Sequence, residues 1–274
     1  MSNLVFVLVL LLVLDIGILG IGSYNNSLFN GFGPIRALTG LSTMNPETSR
    51  SVISAKGLTR LYKLGDSEVV GINQVDLEIT AGELVVLKGN SGSGKSTLLS
   101  LLAGLDRPTR GNLTVSGHDL TKTSDSELTH FRRQVVGMIF QSFNLLPTLN
   151  VLENACLPAL LAGKPITESR LKAADLLKWL GLDTRLSHLP AQLSGGEMQR
   201  TAIARALIND PSIILADEPT GNLDSCNGQI VIDLLAELNR KWDRTVLIAT
   251  HSTLADEKAS VKIGLKDGMI TDHP

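Results

Sequence analysis

The residues with the clearest chemical potential lie at 89–96, which read GNSGSGKS and match the phosphate-loop pattern G-x-x-x-x-G-K-[ST]. Its glycines let the backbone wrap closely around phosphate oxygens. Lys95 brings positive charge to the β- and γ-phosphates, the Ser96 hydroxyl suits Mg²⁺, and Thr97 can bond the α-phosphate. An apolar run precedes the loop and a helical run follows it, which favours a phosphate site over a chance glycine-rich turn.

Two adjacent carboxylates, Asp217 and Glu218, end the apolar run in IILADEP. Side chains alternate along a strand, so the two carboxylates are predicted to point in different directions. Asp217 is the better candidate for holding Mg²⁺, and Glu218 is the better general base for attack of water on a γ-phosphate. An acidic pair alone is usually a solvated loop start, and the phosphate loop in the same chain reverses that preference.

A second phosphate-type helix start lies at 193–200, which read LSGGEMQR. Ser194, Gly195 and Gly196 would present free backbone N–H groups and the positive end of a helix dipole to an anion. The segment has no lysine, and a helix start contributes only about 0.3–1 kcal/mol at an exposed site. That is too little for an independent ATP site.

The elements that must position these residues follow from apolar runs that alternate with helical patterns after residue 51. The strand-type runs are SVISAKGLTRLY, VDLEI, ELVVLKG, NLTVSG, IILAD and TVLIATH. The last two are of the kind buried in a parallel sheet, and SCNGQIVIDLLAELNRKW between them reads as a crossover helix. The pattern predicts an α/β fold with a mainly parallel sheet.

The chain becomes mainly helical from about Ser124 to Gln192. Within this range ESRLKAADLLKWLGL is predicted to be an amphipathic helix, with Gly181 suited to its C-terminal cap. Its apolar positions are Leu171, Ala174, Leu177 and Leu180.

Composition bounds the function classes. The 274 residues carry a formal net charge of −2 and no long basic run, so nucleic acid is not a predicted partner. Cys156 and Cys226 lack CxxC spacing and indicate neither a disulfide framework nor a zinc site.

Residues 1–22 are the one anomalous segment. The run at 4–21 is apolar apart from one aspartate and is barely long enough to span a bilayer. The first basic residue, Arg36, follows it, which would leave the rest of the chain in the cytoplasm. The alternative is that translation begins at Met44 and the segment is a mis-assigned extension. Residues 23–50 are predicted to be a linker.

Three further residues gain meaning only in combination. Alone, Tyr62 reads as a core or edge aromatic, Gln141 as a polar strand end and His251 as a structural histidine. The chain order is Tyr62, GNSGSGKST, Gln141, LSGGEMQR, IILADEP, GNLD and His251. This series resembles the ATP-binding-cassette (ABC) ATPase domain and extends from Ser51 to the C-terminus.

The resemblance implies an α/β P-loop NTPase of the ABC type at 51–274. Its expected parts are a mainly parallel sheet core, an antiparallel β subdomain and a helical subdomain at about 124–196. It also implies ATP and Mg²⁺ as ligands. The implied ATP-binding residues are Tyr62, Gly89, Asn90, Ser91, Gly92, Ser93, Gly94, Lys95, Ser96 and Thr97. The implied metal-side residues are Ser96, Gln141 and Asp217.

The resemblance further assigns roles around the reacting phosphate. It makes Glu218 the base and His251 the switch residue that contacts the γ-phosphate and holds Glu218. Gln141 contacts Mg²⁺ and the attacking water and couples to the transporter, and Tyr62 stacks on adenine.

A head-to-tail homodimer is implied as well. The signature residues would meet the γ-phosphate held by Lys95 of a second subunit. They are Ser194, Gly195, Gly196 and Glu197. The loop Gly221 to Asp224 is expected to touch the partner subunit.

Four positions differ from the common family pattern. Asn90 stands where proline is frequent, Lys88 where an apolar residue is usual, Glu197 where glutamine is commoner and Ser252 where aspartate is frequent. Lys88 could add local positive charge or lie at the surface. None of the changes removes a group that the chemistry needs, so a competent ATPase is predicted.

The segments FQSFNLLPTLNVLEN, LPAQLSGGEMQR and DEPTGNLD resemble the lipoprotein-release and macrolide-exporter branch, including a bacterial group of export ATPases. In this branch the ATPase pairs with a separate membrane permease, which it often moves mechanically. The expected location is the cytoplasmic face of the bacterial inner membrane.

Other function classes fit less well. A soluble ABC ATPase acting on DNA or ribosomes is the alternative. DNA-repair members carry long insertions between phosphate loop and signature, whereas Lys95 and Ser194 are only 99 residues apart here. Ribosome-associated members carry two cassettes and a basic linker, whereas this sequence shows one cassette and no basic linker. A self-contained transporter needs several spanning helices, and the sequence offers one candidate.

Overall fold

A computed structural model describes residues 51–65 and 67–271. The candidate anchor at 4–21, the linker at 23–50 and the alternative start at Met44 lie outside the described residues. Among the described helices, none is long and apolar enough to cross a membrane.

The strands of the described chain form two sheets. They are β1 (Ser51–Leu64), β2 (Ser67–Thr80), β3 (Leu84–Lys88), β4 (Arg110–Val115), β5 (His118–Asp119), β6 (Val136–Phe140), β7 (Ile213–Asp217), β8 (Thr245–Thr250), β9 (Val261–Lys266) and β10 (Met269–Thr271). An antiparallel sheet has the order β2-β1-β4-β5, and a larger sheet has the order β10-β9-β3-β8-β7-β6. All neighbours in the larger sheet are parallel except β9 and β10. This arrangement confirms the predicted α/β class.

Helices cover the larger sheet. They are α1 (Lys95–Leu102), α2 (Asp125–Gln134), α3 (Val151–Leu161), α4 (Ile166–Trp179), α5 (Gly195–Leu207) and α6 (Ser225–Trp242). Alternate residues of the central strands enter two different cores, since side chains alternate across a sheet. In β3, Val85 and Leu87 pack with α1, α2 and the antiparallel sheet, whereas Leu84 and Val86 pack with α3 to α6.

The central strands are buried from end to end, as continuous apolar runs predict for a parallel sheet covered on both faces. Every residue of β8 is buried, and so are the four residues of β7 that precede Asp217. The crossover helix α6 spans the residues that the sequence assigned to it.

The range predicted as mainly helical contains more than helices. β6 lies inside it and pairs with β7 in the larger sheet. In α4 the predicted burial of Leu171 is wrong, because this side chain is 70% exposed. The buried stripe is Ser169, Ala173, Leu176, Leu177 and Leu180, and Leu171 lies on the opposite side of the helix at 100° per residue. Gly181 follows with φ +70°, as expected of a C-terminal cap.

Candidate functional site

Four strand ends meet at one edge of the larger sheet. β3 leads into the phosphate loop, β6 precedes Gln141, β7 ends at Asp217 and β8 precedes His251. Because these strands are parallel, their carboxyl ends share this edge, where α/β folds bind ligands. The edge borders a cleft of about 450 Å³, a volume typical of small-molecule sites. The cleft is lined by Tyr62, Val69, Val70, Gly71, Ser91, Gly92, Gly94, Lys95, Ser96, Thr97, Gln141, Glu218 and His251.

The phosphate loop owes its compact shape to glycines and to Lys95. Gly92 and Gly94 have φ values of +83° and +105°, which residues with side chains rarely adopt. A Cβ on Gly94 would lie 2.4 Å from a carbonyl oxygen of β2, so only glycine fits there. The Lys95 Nζ donates to the carbonyl oxygens of Gly89 (2.7 Å) and Asn90 (3.1 Å), which closes the loop on itself.

The first turn of α1 faces this loop without a side-chain cap. Its N-cap residue is Gly94, and no side chain accepts hydrogen bonds from the first N–H groups of the helix. Ser93 is 6% exposed, and its hydroxyl has no hydrogen-bond partner among the described residues. Unsatisfied donors at a helix start form a natural binding site for phosphate.

Glu218 is held in a left-handed backbone conformation with φ +46°, which is uncommon outside glycine and often marks functional sites. Its N–H donates to the Ala249 carbonyl (2.8 Å), and its own carbonyl accepts from the Gly221 N–H (3.0 Å). The side chain is 14% exposed. Its Oε1 lies 3.5 Å from Lys95 Nζ, and its Oε2 lies 3.0 Å from His251 Nδ1. The carboxylate is therefore fixed between an ammonium group and an imidazole.

Asp217 lies beside Ser96, which lines the cleft. The pKa of Asp217 is raised, chiefly by burial. The hydrogen bond with the Ser96 hydroxyl lowers this pKa, the Glu218 charge raises it further, and the Lys95 charge lowers it, so the rise is partly offset. One carboxylate oxygen, Oδ1, is buried and has no hydrogen-bond partner among the described residues. Mg²⁺ takes oxygen ligands and usually needs only one or two protein side chains beside substrate phosphates and water. Asp217 and Ser96 therefore fit the predicted metal position.

No cluster of three or more His, Cys, Asp or Glu side chains suited to a metal occurs within the described ranges. A metal site built from one carboxylate and one hydroxyl would take its remaining ligands from the substrate phosphates and from water.

Gln141 contacts the loop at Gly221–Asp224 that precedes α6. The Asn222 side-chain amide donates to the Gln141 carbonyl (2.9 Å). A Cβ on Gly221 would lie 2.6 Å from the Gln141 Nε2, so glycine permits this close approach. Asp224 caps α6 by accepting from the N–H of Asn227 (2.9 Å). Two of the predicted functional segments are thus in direct contact within one chain.

Tyr62 forms one wall of the cleft, and its ring is fixed by charged neighbours. Its hydroxyl donates to Asp106 Oδ2 (2.9 Å), and the Arg60 Nε donates to the same oxygen (2.8 Å). The Arg60 guanidinium also lies over the ring, 4.6 Å from its centroid, a cation–π contact. Burial raises the pKa of the Tyr62 hydroxyl. The aromatic predicted to stack on a base is therefore held in place by contacts within the chain itself.

The second phosphate-type helix start is capped by its own residues. Ser194 Oγ accepts from the Glu197 N–H (3.3 Å), and the Glu197 carboxylate accepts from the Ser194 N–H (2.8 Å), which is a capping box. Arg185 Nε donates to the same carboxylate (2.9 Å). The Ser194 N–H and the Arg185 contact lower the pKa of Glu197 to about 2. Neither these residues nor Gly195 and Gly196 line the cleft.

Two residues that the sequence predictions omitted hold the loop after Gln141. Arg205 donates to the carbonyl oxygens of Phe143 (2.8 Å) and Asn144, both of which have positive φ. Burial lowers the pKa of Arg205. Asn154 is fully buried and makes four hydrogen bonds to the backbone of 146–150.

The omitted contacts differ in how visible they are in the sequence. The capping box was detectable, because the serine and glutamate stand at S-x-x-E spacing directly before a helical run. The partners of Arg205 are more than 60 positions away in sequence. No local pattern marks such a contact.

Comparison with known proteins gives a consistent family. A family model described as "ABC transporter" matches residues 72–221. The lipoprotein-releasing system ATP-binding protein LolD of Legionella pneumophila is 43% identical over 219 residues, covering 80% of this chain and 96% of that protein.

A second relative is longer than this chain. The macrolide export ATP-binding/permease protein MacB of Hyphomonas neptunium is 46% identical over 219 residues. The match covers 80% of this chain but 34% of that protein, so the chain spans about a third of it.

A solved structure agrees with the described fold. It is the dimeric post-hydrolysis state of the ATP-binding cassette MJ0796 bound to ADP and Pi. Its TM-score to this chain is 0.75 at 41% identity, covering 80% of this chain and 96% of that one.

Proposed function

This chain belongs to the ABC transporter family, and we propose that it is the ATP-binding and hydrolysing subunit of a transporter complex. It binds ATP in the cleft at the carboxyl edge of the larger sheet and converts it with water to ADP and phosphate. The free energy of binding and hydrolysis drives a separate membrane permease in export, lipid or lipoprotein extraction, or mechanical transmission.

The single observation that carries this proposal is the placement of Glu218. Its carboxylate contacts both Lys95 and His251, and Glu218 lines the same cleft as the phosphate loop. A general base for water attack must lie within hydrogen-bond reach of the water and opposite the leaving group. A glutamate in a strained, doubly supported conformation at this position is suited to that task.

The remaining side chains then have defined roles. Water attacks the γ-phosphorus, the bond to the β–γ bridging oxygen breaks, and the Glu218 carboxylate accepts the proton that the water releases. Lys95 stabilises the negative charge on the β- and γ-phosphates. His251 holds Glu218 and reaches the γ-phosphate, and Gln141 orients the attacking water. Mg²⁺, held by Ser96 and Asp217 with Gln141 nearby, would neutralise phosphate charge when bound.

The adenine and the second subunit complete the proposed site. Tyr62, fixed by Arg60 and Asp106, offers a ring face for the base. Ser194, Gly195, Gly196 and Glu197 lie away from the cleft of their own chain. A homodimer that places this segment over the phosphate loop of the partner gives it an anion to bind, and Asp224 lies in the loop proposed to touch the partner.

The proposal of a permease partner rests on the names of the similar proteins. LolD is named as the ATP-binding part of a lipoprotein-releasing system, and MacB combines ATP-binding and permease parts in one protein. We therefore place this subunit at the cytoplasmic face of a bacterial inner membrane, bound to a permease. A role on nucleic acid has no support in its net charge of −2.

The experiment that tests the proposal is substitution of the base. Glu218→Gln keeps the size of the side chain but removes the proton acceptor, so we expect turnover to fall by about 10²- to 10⁴-fold. ATP binding should remain, and ATP-dependent dimers should accumulate in size-exclusion chromatography. Glu168→Gln, an exposed position in α4, is the matched control and should hydrolyse ATP at the wild-type rate. Wild-type turnover in Glu218→Gln would exclude Glu218 as the base.

A further inference from the structure

Lys88 is the last residue of β3 and directly precedes the phosphate loop. β3 pairs with β8 in parallel, and Lys88 is in register with Thr250, the residue before His251. The Lys88 side chain is only 15% exposed, so it neither lies free at the surface nor reaches into solvent.

The Lys88 ammonium binds the segment that follows His251 at two points. It donates to the backbone carbonyl of Ser252. It also lies 2.6 Å from Oδ1 of Asp256, whose side chain is 27% exposed. Within 51–65 and 67–271, Lys88 is the one basic side chain at ion-pair distance from Asp256. The side chain therefore connects the strand before the phosphate loop to both ends of the segment 252–256.

His251 needs such support because packing does not hold it. Its side chain is 67% exposed, yet its Nδ1 is 3.0 Å from Glu218 Oε2. Its backbone N–H also approaches the same oxygen, at 3.4 Å. An exposed side chain keeps one orientation only if the backbone that carries it is fixed. The carbonyl bound by Lys88 belongs to the next residue in the chain, Ser252.

We propose that Lys88 is a positioning residue that fixes the segment 252–256, and through it holds His251 against Glu218. This inference rests on the proposed function, in which Glu218 accepts a proton and His251 holds the Glu218 carboxylate in place. The expected consequence is specific. Loss of the Lys88 contacts should lower the rate of the chemical step, because a displacement of about 1 Å in a reacting group can cost as much as 10²-fold. ATP binding should change little, because the phosphate loop itself remains intact.

A simple electrostatic role predicts a different result. If Lys88 served mainly to attract the nucleotide, its removal would raise KM and leave kcat nearly unchanged. A purely structural ion pair would change the thermal midpoint without a selective effect on either constant. The split between KM and kcat therefore separates positioning from both alternatives.

The test uses Lys88→Met, Lys88→Arg and Asp256→Asn in the full chain, with steady-state ATPase kinetics and thermal unfolding. We expect Lys88→Met to lower kcat about tenfold with KM within about twofold of wild type. Lys88→Arg retains a cation that can reach both partners and should recover most of the activity. Asp256→Asn removes only one of the two contacts and should have a smaller effect of the same kind.

Lys258→Met is the matched control. Lys258 forms an ion pair with Asp233 (3.0 Å), so it also anchors the chain after β8, but it is not adjacent to His251. It should leave both kinetic constants unchanged. Because Asp256→Asn alters the more exposed end of the Lys88 pair, it keeps the test possible if Lys88→Met does not fold.

A double-mutant cycle gives the decisive readout. Because Lys88 acts through His251, Lys88→Met should cause no further loss of kcat in a His251→Ala background. Additive losses, or an unchanged kcat in Lys88→Met, would overturn the inference. Parallel measurement of Glu218→Gln keeps the two proposals distinct. Wild-type turnover in that variant rejects the proposed function, whereas wild-type turnover in Lys88→Met alone rejects only the role of Lys88.

Discussion

Two helix starts in this chain have the composition of a phosphate site, but their surroundings differ. α1 begins after Gly94 with no side-chain cap, beside Lys95 and inside the cleft. α5 begins after Ser194 with a complete capping box and lies outside the cleft. The first is open to an incoming anion, whereas the second already holds the carboxylate of Glu197. A glycine-rich helix start is therefore not by itself a ligand site. Whether its first backbone N–H groups are free determines whether it can bind an anion.

The α5 start nevertheless keeps part of its binding capacity. A helix has four N-terminal N–H groups without intrahelical partners, and the capping box uses only some of this region. Gly195 and Gly196 add no side chain above the first turn. The comparison thus predicts a strong site at α1 and a weak, auxiliary site at α5, which matters only when a second subunit brings a phosphate to it.

The largest effect on the affinity for ATP should come from removing the cation at the strong site. Lys95→Met leaves the phosphate oxygens without their charge-assisted hydrogen bond, which contributes about 1.5–3 kcal/mol. We expect the affinity of the monomer for ATP to fall about 10- to 100-fold, as measured by isothermal titration calorimetry. Lys122→Met, at a side chain that is 82% exposed, is the control. Unchanged affinity in Lys95→Met would contradict the assignment of the strong site.

The next prediction concerns dimerisation and tests the α5 start independently of the α1 start. Ser194→Arg places a long cationic side chain over the α5 start and should block ATP-driven dimerisation. We expect hydrolysis to fall by about 10²-fold or more, as for the loss of a preorganised charge contact. ATP affinity of the monomer should stay near wild type.

Ser194→Ala is the control for this change. It removes the cap and should cost about 1 kcal/mol in the free energy of unfolding, and it should weaken dimerisation far less than Ser194→Arg does. A lost affinity for ATP in the Ser194→Arg monomer would place the signature in the same subunit's site.

A smaller effect should come from the adjacent glycines. A Cβ on Gly196 would lie 2.1 Å from Asn227 Oδ1, whereas a Cβ on Gly195 would lie 3.3 Å from Leu223 Cδ2. Gly196→Ala must displace Asn227, whose amide donates to Asp224 (2.7 Å). We expect ATPase activity to fall about three- to tenfold, in line with the loss of one or two hydrogen bonds. Gly195→Ala should cause a smaller loss of activity than Gly196→Ala, and equal effects of the two changes would show that the Asn227 contact is unimportant.

The smallest effect should come from Glu197→Gln. Glutamine preserves the capping box but removes a negative charge from the helix start, so the α5 start should bind an anion better. We expect ATP-dependent dimerisation to strengthen about two- to fivefold, as measured by analytical ultracentrifugation. Weaker dimerisation in the variant would mean that the carboxylate itself contacts the partner.

The same variant has a predicted pH dependence. The pKa of Glu197 is about 2 in the folded chain, below its ordinary value of 4.5. A lowered folded-state pKa gives a stabilisation that is present above pH 4.5 and is lost as the pH falls towards 2. The difference in unfolding free energy between wild type and Glu197→Gln should therefore narrow on acidification. Denaturant titrations of both proteins at neutral and acidic pH measure this difference in unfolding free energy.

Much of the fold and site could be predicted because the signals are local. The phosphate loop needs glycines at fixed positions beside a lysine, and these follow each other in the chain. The buried strands are continuous apolar runs, and the strand order then brings Glu218 and His251 to the same edge. By contrast, the burial of Leu171 was predicted wrongly, because helical periodicity alone does not decide which of two possible faces meets a neighbour.

The sequence by itself determined the α/β class, the phosphate loop, the acidic pair and the family, because each depends on residues that are neighbours in the chain or on their order. The tertiary structure alone decided the contacts of Lys88 with Asp256, of Arg205 with the loop after Gln141, and of Arg185 with Glu197. These contacts join residues that are distant in sequence, or that depend on how a loop turns. Their side chains have no periodicity that would indicate a partner, so packing of the elements has to select it.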